Sequence, residues 1–264
     1  MEFASQRVLI TGAARGIGLA VAQDLAALGA RLVIADLDGN GADAAAAAIR
    51  AAGGDAVGHR CDVSSDAEVA SLAAAVQAQY GGIDLLVNNA VAHPLAPGRV
   101  DAIDLDRWTR ALDINVLGYV RMLRAFVPGM IERGRGHVVI TSSSLAILPN
   151  KATAQMLPYI TSKGALLGLA YGLSYDLPPR GVGVTLFCPG LTSTREDGGT
   201  KIADLGFLDG VPKSVTQPAT TKYAAGVLIA GLRSGSFLVC SQPGYAESIR
   251  AFAAQHLDPR GDFQ

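Results

Sequence analysis

Metal-binding and redox-active side chains are scarce in this chain of 264 residues, which has four histidines and three cysteines. His59, His93, His137 and His256 are scattered, and no histidine or cysteine pair has the spacing of metal ligands, so no metal site is expected. Cys61, Cys188 and Cys240 are odd in number and far apart, which fits reduced core thiols and a cytoplasmic location better than a disulfide framework. Charge is sparse too, at 17% of residues with a net charge of −1 and no basic cluster, which argues against nucleic acid or an anionic membrane surface as partner. Long apolar runs are missing. The longest, residues 164–175, lies between Lys163 and Asp176, is too short to span a bilayer, and reads as a buried helix. The opening MEFASQRVLI has neither a basic nor an apolar signal region, so nothing in it marks the chain for export.

Apolar residues, by contrast, make up 50% of the chain, which excludes disorder and can fill a sizeable core. Short β-branched runs at 7–10, 31–35, 56–60, 84–87, 137–141, 182–187 and 236–239 alternate with helical patterns near 17–28, 40–52, 66–80, 104–132, 159–177 and 218–232. Strands separated by helices of this length pair in parallel through right-handed crossovers. Leu85-Leu86-Val87 and Val138-Val139-Ile140 are apolar throughout, as strands covered on both faces require. The expected architecture is a single doubly wound α/β domain over residues 1–264, with a seven-stranded parallel sheet and helices on both faces. Residues 191–217, rich in glycine and proline, break the pattern and read as a loop or lid over the substrate.

Behind the first strand stands TGAARGIG, residues 11–18. In an open α/β sheet, ligands bind beyond the carboxyl ends of the strands where the strand order reverses. Gly12 would make the tight turn, Gly16 would admit a pyrophosphate against bare backbone, and Gly18 would let helix and strand pack closely. Arg15, Gly16 and Ile17 open a helix whose free N–H groups and positive dipole end would face the phosphates. The spacing differs from the common Gly-x-Gly-x-x-Gly, so a second residue has to support it. Asp36 does so. It closes the second strand, eighteen residues beyond Gly18, where a carboxylate accepts from the adenosine ribose and repels a 2′-phosphate, favouring NAD over NADP. A capping role is the plain alternative for Asp36, and Arg15 keeps an NADP-linked reading open.

Downstream, PYITSKG places Tyr159 and Lys163 four residues apart, on one face of a helix. With TGAARGIG, Asp36, Cys61-Asp62-Val63, Asn88-Asn89-Ala90, Asn115, Ser142 to Ser144 and Pro189-Gly190 in this order, the chain resembles the short-chain dehydrogenase/reductase family over residues 5 to 195. The resemblance implies a Rossmann fold, a nicotinamide cofactor and hydride transfer between that cofactor and a secondary alcohol or ketone. It implies Tyr159 as general acid/base and Lys163 as holder of the nicotinamide ribose. The ammonium of Lys163 and the cofactor's ring would together lower the tyrosine pKa from near 10. The substrate-orienting hydroxyl corresponds to Ser143, with Ser142 and Ser144 as neighbours that could take the role. Asn115 would complete a tetrad and support a water chain to the lysine. Asp62 and Val63 would border the adenine, and Asn89 and Ala90 would pass beside the adenosine ribose. Pro189, Gly190, Thr192 and Thr194 would hold the nicotinamide carboxamide.

Several positions depart from the family pattern. Val91 stands where glycine is usual after Asn-Asn-Ala, and Leu145-Ala146 replaces Ala-Gly after the serines. About three extra residues separate Ser143 from Tyr159, within PNKATAQML. The tail FLVCSQPGYAESIRAFAAQ lacks the usual glycine-rich ending and suggests an extra helix. Apolar residues at Leu191, Ile202, Leu205, Phe207, Leu208, Met156 and Leu157 suit an uncharged, hydrophobic alcohol or ketone, or else they pack the loop onto its own domain. Apolar positions on more than one side of the 104–132 helix, Leu112, Val116, Val120 and Leu123, and of the 159–177 helix suggest a homodimer or homotetramer. A non-catalytic nucleotide-binding protein on the same fold is the alternative of a different class.

Overall fold

The computed structural model describes residues 1–92, 100–193 and 218–258. The strands are β1 (Arg7–Thr11), β2 (Arg31–Asp36), β3 (Asp55–Arg60), β4 (Leu85–Asn88), β5 (Gly136–Thr141), β6 (Val182–Cys188), β7 (Thr192–Ser193), β8 (Ala219–Thr220) and β9 (Leu238–Cys240). Seven form one parallel sheet in the order β3-β2-β1-β4-β5-β6-β9, while β7 and β8 pair with each other. The helices are α1 (Gly16–Ala27), α2 (Gly39–Ala51), α3 (Asp66–Tyr80), α4 (Leu105–Leu112), α5 (Gly118–Glu132), α6 (Ser144–Ile147), α7 (Leu157–Asp176), α8 (Thr221–Ser234) and α9 (Tyr245–Ala254).

Side chains alternate across the sheet as pleating requires. Val8, Ile10, Leu32 and Ile34 join Leu25 of α1, Ile49 of α2 and Leu228 of α8 in one core layer. Leu9, Val33, Leu86, Val138 and Ile140 face the other way, into Val69 of α3, Tyr119 of α5 and Leu166 of α7. This is the Rossmann-type sheet expected from the alternating runs. The strand order reverses between β1 and β4, so the crevice opens beyond Thr11 and Asn88. The extra helix expected in the tail is α9.

Two expectations need correction. The pattern over 104–132 reads as one helix, but a π-helical turn, Asp113–Leu117, separates α4 from α5. Tertiary bonds hold that turn. Arg121 donates to the Asp113 carbonyl at 3.3 Å and pairs with its carboxylate at 2.8 Å. Residues 164–175 are not a buried helix either. Leu166 and Ala170 are buried, but Tyr171 and Tyr175 are 51% and 85% exposed, with Gly164, Gly168 and Gly172 open beside them. The apolar composition there comes partly from glycines, which add no bulk to a core. Of the 191–217 loop, Thr194, Arg195, Lys201 and the apolar residues from Ile202 to Leu208 lie outside the described residues.

Candidate active site

The segments that leave β1 and β4 are laced together. The Thr11 hydroxyl accepts from the backbone N–H of Asn89 at 3.0 Å and of Ala90 at 3.1 Å. Asn89 Nδ2 donates to the carbonyls of Thr11 and Gly12, both at 3.0 Å. Gly12 turns with φ of +64° and lies so close to Ala90 that a Cβ would come within 2.8 Å of its Cα. A Cβ on Gly18 would collide with the Gly12 carbonyl and with Asn89 Nδ2. Gly18 therefore serves the close packing expected of it, and Gly16 takes the positive φ that a bare backbone allows.

α1 differs from helices capped by their own side chains. Asp38, Ser65, Asp104 and Thr220 cap α2, α3, α4 and α8, whereas Arg15 before α1 makes no capping bond and the first turn holds no acid. Its first N–H groups and positive dipole end suit an outside anion such as a pyrophosphate. Ile17 is half-buried behind them and Arg15 is exposed.

Asp36 sits at the rim with both oxygens on backbone. One accepts from Ala14 N–H at 2.9 Å and the other from Asp38 N–H at 3.0 Å. Each oxygen keeps capacity for a further donor. Asp62 accepts from the Ser64 hydroxyl at 2.6 Å and the Ser64 N–H at 2.9 Å. Burial opposes its charge, but these bonds and the charges of Arg60 and Arg110 outweigh it and hold the carboxyl below its usual range. Val63 is buried against Gly118, where a Cβ would meet its side chain at 2.8 Å.

At the end of β5, three consecutive serines have three different tasks. Ser142 Oγ donates to the Lys163 carbonyl at 2.7 Å, fastening the strand end to α7. Ser144 begins α6, and its N–H donates to the Pro189 carbonyl at 2.9 Å. The Ser143 side chain accepts from its neighbour Leu145 N–H at 3.3 Å and acts on Tyr159 to favour the ionised form. One turn along α7, Lys163 Nζ donates to the Thr141 carbonyl at 2.8 Å and is 2% exposed. Burial pushes the Tyr159 hydroxyl up to about 12, with Ser143 acting against it, and pulls the Lys163 ammonium down to about 7. The reason is desolvation, which disfavours phenolate and ammonium alike. The Cys188 thiol, beside both, is raised to about 12 by the same effect.

Asn115 is fully buried in the π turn. Its side chain accepts from Ala92 N–H at 2.7 Å and donates to the Ala92 carbonyl at 3.2 Å and the Ser162 hydroxyl at 2.9 Å. It therefore ties the chain after β4 to α7 rather than touching Lys163. On the far wall, Gly190 N–H donates to Ser241 Oγ at 3.1 Å and Thr192 Oγ1 donates to the Gly190 carbonyl at 2.9 Å. Gln242 lies so near Gly190 that a Cβ would meet its Oε1 at 2.7 Å. Ser162, Tyr119, Ser241 and Gln242 were not singled out from the sequence. Only Ser162, three residues beyond Tyr159, had a signal in its spacing. Among the described residues no group of histidine, cysteine or acidic side chains could hold a metal ion, and no helix is long and apolar enough to cross a membrane.

Comparison with known proteins agrees with this geometry. Residues 6–201 match the model of the short chain dehydrogenase family. The human dehydrogenase/reductase SDR family member 4 is 37% identical over 72% of this chain and 67% of its own length. A galactitol 2-dehydrogenase of Agrobacterium fabrum is 37% identical over 72% of each chain, and a D-threitol dehydrogenase of Mycolicibacterium smegmatis is 39% identical over 71% and 70%. A short-chain dehydrogenase/reductase from Burkholderia phymatum, solved in complex with NAD, superimposes with a TM-score of 0.83 at 27% identity, over 99% of this chain and 98% of that one. The chain belongs to the short-chain dehydrogenase/reductase family of oxidoreductases.

Proposed function

We propose that this protein is an NAD-dependent oxidoreductase that interconverts an uncharged secondary alcohol and its ketone, with Tyr159 as general acid/base. The observation that carries the reading is the burial of Tyr159 and Lys163 one turn apart on α7, with Ser143 acting on the tyrosine. NAD would lie across the β1/β4 crevice, held by the Gly12–Gly18 turn, Asp36, Asp62, Val63, Asn89, Ala90, Lys163, Pro189, Gly190, Thr192 and Thr194, and would supply or accept the hydride. In the reducing direction Tyr159 gives its proton to the substrate oxygen, while Ser143 donates a hydrogen bond to the same atom. A charged Lys163 stabilises the phenolate that remains. In the oxidising direction the same groups work in reverse. Asn115 holds the π turn against α7 and so keeps the tyrosine and lysine in register.

Leu145, Ile147, Leu148, Met156 and Leu157, all half-buried on the segments that follow Ser143, support an apolar substrate. A second reading is favoured by the relatives that are galactitol and threitol dehydrogenases, namely a polyol substrate. Exposed Arg15 favours an NADP-linked variant of the same chemistry, and the Asp36 carboxylate opposes it. The buried free thiols Cys61, Cys188 and Cys240 support a reducing, cytoplasmic setting. The outward faces of α5 and α7 support a homodimer or homotetramer.

The deciding experiment follows the absorbance of reduced nicotinamide with apolar, hydroxylated and anionic secondary alcohols, for the wild type and Tyr159→Phe. Tyr159→Phe is expected to lower turnover by roughly 10²-fold or more and to leave cofactor binding intact. Near-normal turnover in that variant would remove the tyrosine from the mechanism.

A further inference from the structure

Among the described residues no carboxylate lies beside the buried Lys163, and the groups that face its ammonium come from four elements. They are Tyr159 on α7 itself, Tyr119 from α5, the Thr141 carbonyl from β5 and the Cys188 thiol from β6, which burial keeps neutral. Nζ lies 5.6 Å from the centre of the Tyr119 ring and 5.8 Å from that of Tyr159. Tyr119 is itself 1% exposed, and its hydroxyl donates to the Thr141 carbonyl at 3.2 Å, the same oxygen that accepts from Nζ at 2.8 Å. One carbonyl thus anchors both the ammonium and the ring beneath it.

We propose that Tyr119 is a positioning residue whose ring seats the Lys163 ammonium and, through it, sets the proton affinity of Tyr159. The proposal rests on the roles given above to Tyr159 and Lys163. Its physical basis is the ring's quadrupole, which attracts a cation and is indifferent to a neutral amine, and which counts for more where water is excluded. Burial draws Lys163 toward the uncharged form, whereas the proposed chemistry needs it charged. With Tyr159 committed to proton transfer, Tyr119 is the ring free to hold the charge throughout the cycle. Its hydroxyl fixes the ring's angle through Thr141 but does not touch the ammonium, so the ring carries the effect and the hydroxyl only steadies it.

The readout is the acid limb of kcat/KM for alcohol oxidation. Oxidation requires Tyr159 deprotonated, so a less charged Lys163 raises the tyrosine's pKa and moves the limb to higher pH. Tyr119→Phe keeps the ring and is expected to keep the wild-type limb. Tyr119→Leu removes it and is expected to move the limb up by about one pH unit, a loss of about tenfold on the limb with the plateau little changed. Because Leu at a buried site can upset folding, the same measurement is made with phenylalanine progressively fluorinated on its ring at position 119, which keeps the shape and weakens the quadrupole. The limb is expected to climb stepwise with fluorination. A limb that stays in place across the fluorinated series overturns the proposal. Tyr159→Phe is run alongside. If it is inactive while the limb does not move, only the role of Tyr119 falls, and if it is active, the underlying reading falls first.

Discussion

The Asn115 amide donates to the Ser162 hydroxyl at 2.9 Å, which fastens the π turn to α7 at the residue before Lys163. Ser162 passes the link on by donating to the Tyr159 carbonyl at 2.6 Å. The chain after β4, the π turn and the tyrosine's own backbone thus form one connected unit. π turns occur often at functional sites, and here tertiary hydrogen bonds hold one in place.

Ser162→Ala is expected to break that unit at its middle. Asn115 Nδ2 would keep only the Ala92 carbonyl, so a buried donor loses its better partner, at about 1–2 kcal/mol of stability. Turnover should fall while the KM for cofactor changes little, because no group on the nucleotide side is altered. Urea unfolding and steady-state kinetics on the same preparation check both. Unchanged stability would show that Asn115 finds another acceptor.

Asp36 controls the nucleotide's far end in the proposed complex. Asp36→Ala should weaken NAD binding by roughly 10- to 100-fold, the range for losing hydrogen bonds to a charged acceptor, and narrow the gap to NADP. Fluorescence titration of both nucleotides measures it. Wild-type protein that binds NADP as tightly as NAD would overturn the reading of Asp36.

Much of this was legible in the sequence, and the reasons lie in particular residues. The central strands read correctly because Val8 to Ile10 and Val138 to Ile140 are buried on both faces and so apolar at every position. Gly12 and Gly18 were legible because a tight turn and close packing demand glycine there, and Asp36, Tyr159 and Lys163 stood out as candidates by residue type and spacing. The π turn was not, since Asn115 bonds to Ala92 and Ser162, and such tertiary bonds leave no mark on helical periodicity. Among the serines at 142 to 144, the sequence favoured Ser143 by its distance from the strand start, with Ser142 and Ser144 left as alternatives. Backbone geometry distinguishes them, turning Ser142 to the Lys163 carbonyl and Ser144 into α6. Tyr119 was not singled out from the sequence. Its significance depends on Thr141 and Lys163, which arrive from two other elements.

Lys163 should make stability depend on pH. Its folded pKa, about 7, lies below the usual lysine value near 10.4. Between these values the unfolded chain binds more protons, so folding becomes more favourable as pH rises through the window. Below about pH 7 the full penalty of a buried charge applies, and above about 10.4 it is gone. Lys163→Met, which removes the charge and fills the space, is therefore expected to be more stable than wild type at pH 6, by a few kcal/mol at most. The advantage should shrink as pH rises toward 10. Thermal unfolding of both proteins across this range tests the sign, and an advantage that grows with pH would contradict it.

Assembly is the last expectation. α7 presents Tyr171 and Tyr175 to solvent beside Gly164, Gly168 and Gly172, at which a Cβ would meet nothing within 4 Å. α5 and the π turn present Leu117 at 49% and Val120 at 41% exposure, while Leu123 is buried in the protein's own core. Two helices of one face thus expose large apolar side chains with a smooth strip beside them, the form expected of a surface covered by a second copy. Sedimentation at micromolar concentration should show a dimer or tetramer. Gly168→Glu gives the sharper test. A side chain there has room in the single chain, and replacing a helical glycine should stabilise that chain by up to about 1 kcal/mol. Loss of the larger species with no loss of thermal stability in the smaller one would assign the face to assembly. Wild-type protein that sediments only as a monomer would refute it.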